Sequence, residues 1–231
     1  DNDKGKQHTF LKIFWSLFNQ MRGYNYTQFE LAQHLEKALD EEGVLDPDFP
    51  VYSMHAKEKM IEEILKAKEK GDSIGGIIGC RVTGIPAGIG DALFLGVEGR
   101  ISEAVFAIPA VKGIEFGDTK MTGSMNNDAF IVRNGEVRTE TNNHGGILGG
   151  ITTGMPVTFK VKVKPTPSIG KTQKSVDLNT MEEVETVVKG RHDPCILPRA
   201  VPCVEAACAI ALLDMIEEEE YGTGQVQRTN R

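Results

Sequence analysis

Residues 157–164 alternate without a break, with Val157, Phe159, Val161 and Val163 on one side and Thr158, Lys160, Lys162 and Lys164 on the other. A period of two is the spacing of a strand with one buried face, and the polar partner row marks an antiparallel strand wet on its second face. The chain is therefore committed to a sheet with a core on one side. The lysine row keeps the other side soluble, and at its end Lys164 runs into Pro165-Thr166-Pro167-Ser168. There a cation is followed by hydroxyls in a stiff turn, a donor set suited to phosphate.

Around this strand the pattern changes period. Thr27 and Glu30 form a capping box with Tyr26 and Leu31 as a hydrophobic staple, and Leu31, Leu35, Ala38 and Leu39 share a helical face that ends at Gly43. The spacing predicts a second helix from Ser53 to Lys70, with Ala56, Met60, Ile61, Ile64, Leu65 and Ala67 as its apolar stripe and Gly71 as its stop. Glu62 and Lys66 sit four apart in the favourable order. Ile77–Val82 reads as a strand, and Val97–Ile108 as a short helix closed by Pro109. Asn134-Gly135 between Ala129–Arg133 and Glu136 onward signals a tight hairpin, because both residues accept positive φ. Residues 170–181 read as polar loop, 182–188 as a short strand or helix, and Pro202–Ile216 as a helix apolar nearly all round, expected to be buried between layers. The polar tail 217–231 is expected to face solvent or be disordered. Residues 1–9 read as frayed, and the period leaves 10–22 open between helix and strand.

Composition bounds the partners. A formal net charge of −7 argues against general nucleic-acid binding, so an anionic ligand requires a local cationic pocket. The four cysteines, Cys80, Cys195, Cys203 and Cys208, form no CxxC pair; free buried thiols in a reducing cytosol are expected, and no metal site. The apolar run Phe10–Phe18 is too short to span a bilayer, and no small-residue cleavage site follows it.

Two stretches carry candidate chemistry. Lys189-Gly190-Arg191-His192-Asp193-Pro194-Cys195 gathers cations, an imidazole and a carboxylate between turn residues. Arg191 offers a fixed fork of donors for phosphate or carboxylate, and His192 exchanges a proton near neutrality. The plainer explanation is an Arg–Asp pair that closes a loop. Asn142-Asn143-His144-Gly145-Gly146-Ile147-Leu148-Gly149-Gly150 lets backbone approach a flat or phosphorylated ligand, or serves as a tight crossover between packed elements. It is not the dinucleotide fingerprint.

In this order and spacing, the glycine stretch, Lys164–Ser168, and Gly190–Cys195 with Arg199-Ala200-Val201-Pro202 together resemble chorismate synthase. Gly71-Asp72-Ser73-Ile74-Gly75-Gly76, Gly84–Gly90 and Ile108-Pro109-Ala110-Val111-Lys112-Gly113 add to the resemblance, which covers roughly Met60 to Ile216. The resemblance implies an α+β fold, a β-α-β sandwich of antiparallel sheets around helices, assembled as a homotetramer in the cytoplasm. It divides the chain into a divergent segment 1–49, a family region 50–216 and a polar tail 217–231. It implies a carbon–oxygen lyase of the shikimate pathway and aromatic amino acid biosynthesis. That enzyme removes phosphate from 5-enolpyruvylshikimate 3-phosphate by anti-1,4-elimination to give chorismate. Reduced FMN is the cofactor, reduced either by NADPH oxidation at the enzyme or by an external source.

Carried over residue by residue, the flavin contacts fall on Pro109, Ala110, Gly149, Lys164, Pro165, Thr166, Pro167, Ser168 and Arg191. Asp193 matches the acid proposed to take a proton from flavin N5, a role that burial would favour by raising its pKa. His192 is structural in this reading. The chain also departs from the family. The Gly-Glu-Ser-His-Gly, Arg-Pro-Gly-His-Ala-Asp and Arg-Ser-Ser-Ala segments do not occur, and His8, His34 and His55 have no matching context. Phe94-Leu95-Gly96-Val97-Glu98-Gly99 replaces a Phe-Asp-x-Leu-Asp-Ala pattern, and His144 stands where a small residue is usual. The expectation is a C-terminal portion, inactive alone. The alternative is a non-catalytic flavin-binding or assembly remnant. An unrelated phosphate-binding protein would need three motifs to coincide by chance.

Overall fold

A computed structural model of the chain describes residues 16–18, 49, 51, 53–119 and 122–228, with side chains for all of these except 16–18, 54 and 219–228. The expected capping-box helix after Thr27 lies outside the described residues. The elements are β1 (Ser16–Phe18), α1 (Met54–Glu69), β2 (Gly76–Val82), a 3-10 turn (Leu93–Leu95), α2 (Val97–Phe106), β3 (Val111–Phe116), α3 (Gly123–Asn126), β4 (Phe130–Arg133), β5 (Glu136–Thr139), β6 (Ile147–Leu148), β7 (Ile151–Thr152), β8 (Val157–Val163), β9 (Gln173–Asp177), β10 (Glu182–Thr186) and α4 (Leu197–Arg228). One sheet has the order β1-β2-β8-β3, and β4–β5, β6–β7 and β9–β10 are two-stranded antiparallel hairpins. The fold is α+β.

The chain divides into two compact units. Unit one takes in residues 79–161 and 202 onward; unit two takes in 15–78 and 162–201.

In unit one, β8 buries Val157, Phe159 and Val161 and leaves Thr158 and Lys160 half-buried, which is the alternation written in the sequence. Phe116 meets Phe159 with ring centroids 5.3 Å apart. Helix α2 places Val97, Ile101 and Val105 four residues apart on one fully buried stripe, each side chain contributing about 1.5–3 kcal/mol by leaving water. On its solvent side Arg100 pairs with Asp214 and with Glu218 of α4. Asn134 and Gly135 take φ of 55° and 81°, as the hairpin between β4 and β5 requires.

In unit two, Ser53 caps α1 by accepting the Ala56 amide at 3.2 Å. Lys66 pairs with Glu62 at 2.7 Å and with Glu63 at 2.9 Å. Gly71 and Asp72 return amides to the Lys68 and Ala67 carbonyls and end the helix. Of the expected stripe, Ala67 is buried and Met60 and Ile64 are half-buried, while Ile61 and Leu65 are exposed.

Three expectations change. Residues 173–177, read as polar loop, form β9 in register with β10, Gln173 opposite Thr186 and Asp177 opposite Glu182. Both strands are largely exposed, so no apolar alternation announced β9, while β10 falls within 182–188, read as a short strand or helix. Helix α4 starts at Leu197, with Pro198 in its first turn and Pro202 inside it, and runs on to Arg228 through the expected tail. Nor is α4 buried all round: Ile210 is 67% and Leu213 56% exposed, with Cys203 and Ala206 exposed on the same side. Among the described residues no helix is long and apolar enough to cross a membrane.

Candidate functional site

In unit two the six-residue turn 71–76 collects the segments singled out in the sequence. Ser73 donates its hydroxyl to the Thr166 carbonyl at 2.6 Å, and its own amide to Asp72 Oδ1 at 2.9 Å. Asp72 pairs with Lys171, and its carboxyl is held below the ordinary range by that hydrogen bond and by the Ser73 amide. The Gly170 amide reaches the Gly71 carbonyl at 2.9 Å. A Cβ on Gly75 would stand 2.4 Å from the Val163 carbonyl and 2.8 Å from the Pro165 nitrogen, so only glycine lets the two backbones meet. On the other side the Ile74 amide donates to the Pro194 carbonyl at 2.8 Å. Lys164–Ser168 and Asp193–Cys195 are thus tied to one turn.

Within that assembly Lys164, Pro165 and Pro167 are exposed, and Thr166 and Ser168 half-buried. Gln173 donates to the Pro167 carbonyl at 3.2 Å. Thr166 Oγ1 is buried and has no hydrogen-bond partner among the described residues. An orphan hydroxyl is a donor in want of an acceptor. Arg191 is exposed, and His192 Nε2 donates to the Val188 carbonyl at 2.7 Å, the structural part expected of it. Asp193 pairs with Arg199 and its side chain is 44% exposed, so the burial that its proton-acceptor reading calls for is not present in this chain. Cys195 is half-buried; burial pushes its thiol pKa up, against a backbone hydrogen bond from Leu197, and a protonated thiol is a poor nucleophile.

Unit one holds Pro109, Ala110 and Gly149. Pro109 is exposed after α2, and Ala110 takes a left-handed φ of 74°, which for a residue with a Cβ costs about 1–2 kcal/mol. Strain of this kind concentrates at ligand sites. The four glycines of the loop behave differently. A Cβ on Gly145, Gly146 or Gly150 would stand 2.7, 2.4 or 2.5 Å from a backbone oxygen, whereas at Gly149 nothing among the described residues lies within 4 Å. Three of them thus serve the crossover reading, and Gly149 alone leaves an open approach.

Sequence reasoning passed over the residues that organise both places. Asp72, Ser73 and Gly75 belong to the supporting stretch 71–76, and their signal is that of small and polar residues straight after a helix stop. Asp128 carries no signal in the sequence. It is buried and accepts hydrogen bonds from Thr141, Asn143 and His144, and no spacing rule points to backbone donors.

Comparison with known proteins agrees with the motifs. The chorismate synthase family model matches residues 22–216. The chain is 49% identical over 176 residues to the chorismate synthase of Thermococcus gammatolerans, a match covering 74% of the chain and 49% of that protein. It is 41% identical over 209 residues to that of Dehalococcoides mccartyi, covering 88% of the chain and 57% of the relative. A crystal structure of chorismate synthase superposes with a TM-score of 0.64 at 26% identity, over 90% of this chain and 57% of the other. The chain spans about half the length of the curated relatives it matches. With a family model that matches most of its length, the chain belongs to the chorismate synthase family.

Proposed function

We propose that this chain is the C-terminal portion of a chorismate synthase and supplies part of its flavin and substrate site. The reaction is the anti-1,4-elimination of 5-enolpyruvylshikimate 3-phosphate. A ring C–H bond and the C–O bond to phosphate break, a ring double bond forms, and inorganic phosphate and a proton leave with chorismate. The observation that carries the reading is the tie of Lys164–Ser168 and Asp193–Cys195 to the 71–76 turn in a chain of this family.

Taken unit by unit, the residues offer groups of the kinds FMN calls for. Gly149 is open to a flat ring, Ala110 holds a strained backbone, and Thr166 offers an unmatched buried hydroxyl near Lys164. Pro109, Ala110 and Gly149 would hold the ring system. Lys164, Thr166, Ser168 and Arg191 would supply charge and hydroxyl donors to phosphate, with Pro165 and Pro167 stiffening the turn. Reduced FMN, when bound, lends electron density to phosphate departure without net redox change. The Asp193 carboxylate would take up a proton on one oxygen, which requires it to exchange Arg199 for a more buried setting. The cytoplasm as its place, the homotetramer and the source of reducing equivalents are part of the same proposal.

We further propose that the 231-residue chain does not turn over alone, since the two histidine segments of the family are missing from it. The test is a titration with FMN, with and without 5-enolpyruvylshikimate 3-phosphate, followed by flavin absorbance and fluorescence. It is run on the chain alone and with the N-terminal half of a relative added in trans. Weak binding alone and recovery in trans support the reading. Turnover by the chain alone overturns the half-site argument. No binding in either condition favours the remnant reading, for which the exposed Ile210 and Leu213 face of α4 is the supporting observation.

A further inference from the structure

Asp128 and His144, both in unit one, form a cluster that the elimination reading leaves unused. The Asp128 side chain is only 2% exposed. A carboxylate buried that far is costly unless its oxygens are filled. Here they are filled from one short stretch. Oδ1 accepts the Thr141 hydroxyl at 2.6 Å and the Asn143 amide at 2.8 Å; Oδ2 accepts the His144 amide at 3.0 Å and His144 Nδ1. Burial raises the Asp128 pKa, but these hydrogen bonds outweigh it and hold the carboxyl below its ordinary value.

An ionised acceptor places a proton on Nδ1 of the imidazole. The ring is 25% exposed, and its Nε2 has no partner among the described residues. The amides alone would cap the carboxylate, so the ring bond is an addition to the cap. His144 leads directly into the glycine loop. The Gly145 amide donates to the Asn142 carbonyl at 3.1 Å, the Gly145 carbonyl accepts the Thr158 amide at 3.0 Å, and Asn142 Nδ2 donates to the Pro156 carbonyl at 2.8 Å. Asp128 thus fixes the entrance of a loop whose far end carries the open Gly149.

We propose that His144 is a positioning residue: through its Nδ1 bond to Asp128 it sets the path of residues 142–146, and with it the placement of Gly149 against a bound flavin ring. The proposal rests on the flavin reading above.

The test uses the full chain with the N-terminal half of a relative in trans, and compares His144→Ala, His144→Asn and His144→Gln. Asparagine keeps a short amide donor near the place of Nδ1; glutamine carries its amide out toward the place of Nε2. The measurements are FMN affinity, amide hydrogen exchange at 145–150 and the urea midpoint. His144→Ala is expected to weaken FMN about tenfold and to speed exchange in the loop, and His144→Asn to restore both to within about twofold. Unchanged FMN affinity in His144→Ala overturns the proposal. So does rescue by glutamine and not asparagine, which would assign the role to Nε2. If His144→Ala fails to fold, the asparagine and glutamine variants decide between the two nitrogens. If the wild-type chain binds no FMN in either condition, the flavin reading falls, and equal loop exchange in wild type and His144→Ala then overturns the positioning role as well.

Discussion

Ser73 and Thr166 lie 93 residues apart in the chain and are joined by a hydrogen bond of 2.6 Å from the Ser73 hydroxyl to the Thr166 carbonyl. That bond makes the turn after α1 the support of the proposed phosphate segment. Ser73→Ala removes the donor and leaves the carbonyl short of a partner, a loss of about 0.5–1.5 kcal/mol. The urea midpoint should fall accordingly, and FMN affinity should fall with it. A stability loss with unaltered FMN affinity would separate the turn from the ligand.

Gly75 and Gly123 make a matched pair. Gly75→Ala drives a Cβ to 2.4 Å from the Val163 carbonyl, where backbone must move, and should cost about 1–3 kcal/mol. Among the described residues Gly123 has nothing within 4 Å, and it opens α3, so Gly123→Ala should be neutral or stabilising by up to about 1 kcal/mol. Thermal melts of the two variants check the contrast; equal melting temperatures would contradict it.

Within the glycine loop, Gly146→Ala should damage the fold, since its Cβ would stand 2.4 Å from the Pro156 carbonyl. Gly149→Ala meets open space among the described residues and suffers only the left-handed penalty of about 1–2 kcal/mol at φ +60°. The distinguishing expectation is that Gly149→Ala keeps a cooperative melt yet loses FMN affinity about tenfold or more, because a methyl group then stands in the ring's approach.

Asp128 and Glu205 should bend the pH–stability curve in opposite senses. The Asp128 pKa is depressed from 3.8 in the fold, so the unfolded chain binds more protons in the window below that value. Its stabilisation is complete above pH 3.8 and is lost as the pH falls through the depressed value; Asp128→Asn should flatten that acid limb and be less stable at pH 7. The Glu205 pKa is raised from 4.5 by burial, so the fold prefers its protonated form, and stability declines as the pH rises from 4.5 through the raised value. Glu205→Gln should therefore be more stable than wild type at pH 7 and nearly equal to it at pH 4. Urea titrations across pH 3–8 read both slopes, and an Asp128→Asn curve parallel to wild type would refute the first.

The parts of the fold legible in the sequence are those whose interactions are periodic. Strand β8 and helix α1 could be read because one face of each is apolar at a fixed spacing, and the β4–β5 turn because Asn-Gly has a backbone reason to be there. Strand β9 could not, since its residues are mostly exposed and polar and only pairing with β10 defines it. Two prolines, Pro198 and Pro202, both suit a helix start, and reading the second hid the first turn of α4. Of the site, the residue types at Lys164–Ser168 and Asp193 stood out by charge and hydroxyl content. Besides the Ser73 and Asp72 side chains, the turn that joins them works through backbone groups of Gly71, Ile74 and Gly75, which carry no side-chain signature.

The separations of these contacts also order the assembly of the fold. The Asp128 cluster closes over 13 to 16 residues, whereas Ser73 to Thr166 spans 93. The longer closure carries about 1.5 kcal/mol more chain entropy. The Asp128 cluster at the entrance of the glycine loop can therefore close early and locally, while the 71–76 turn meets its partners later. A nascent chain leaving the ribosome could close the Asp128 cluster well before it could offer a finished phosphate segment.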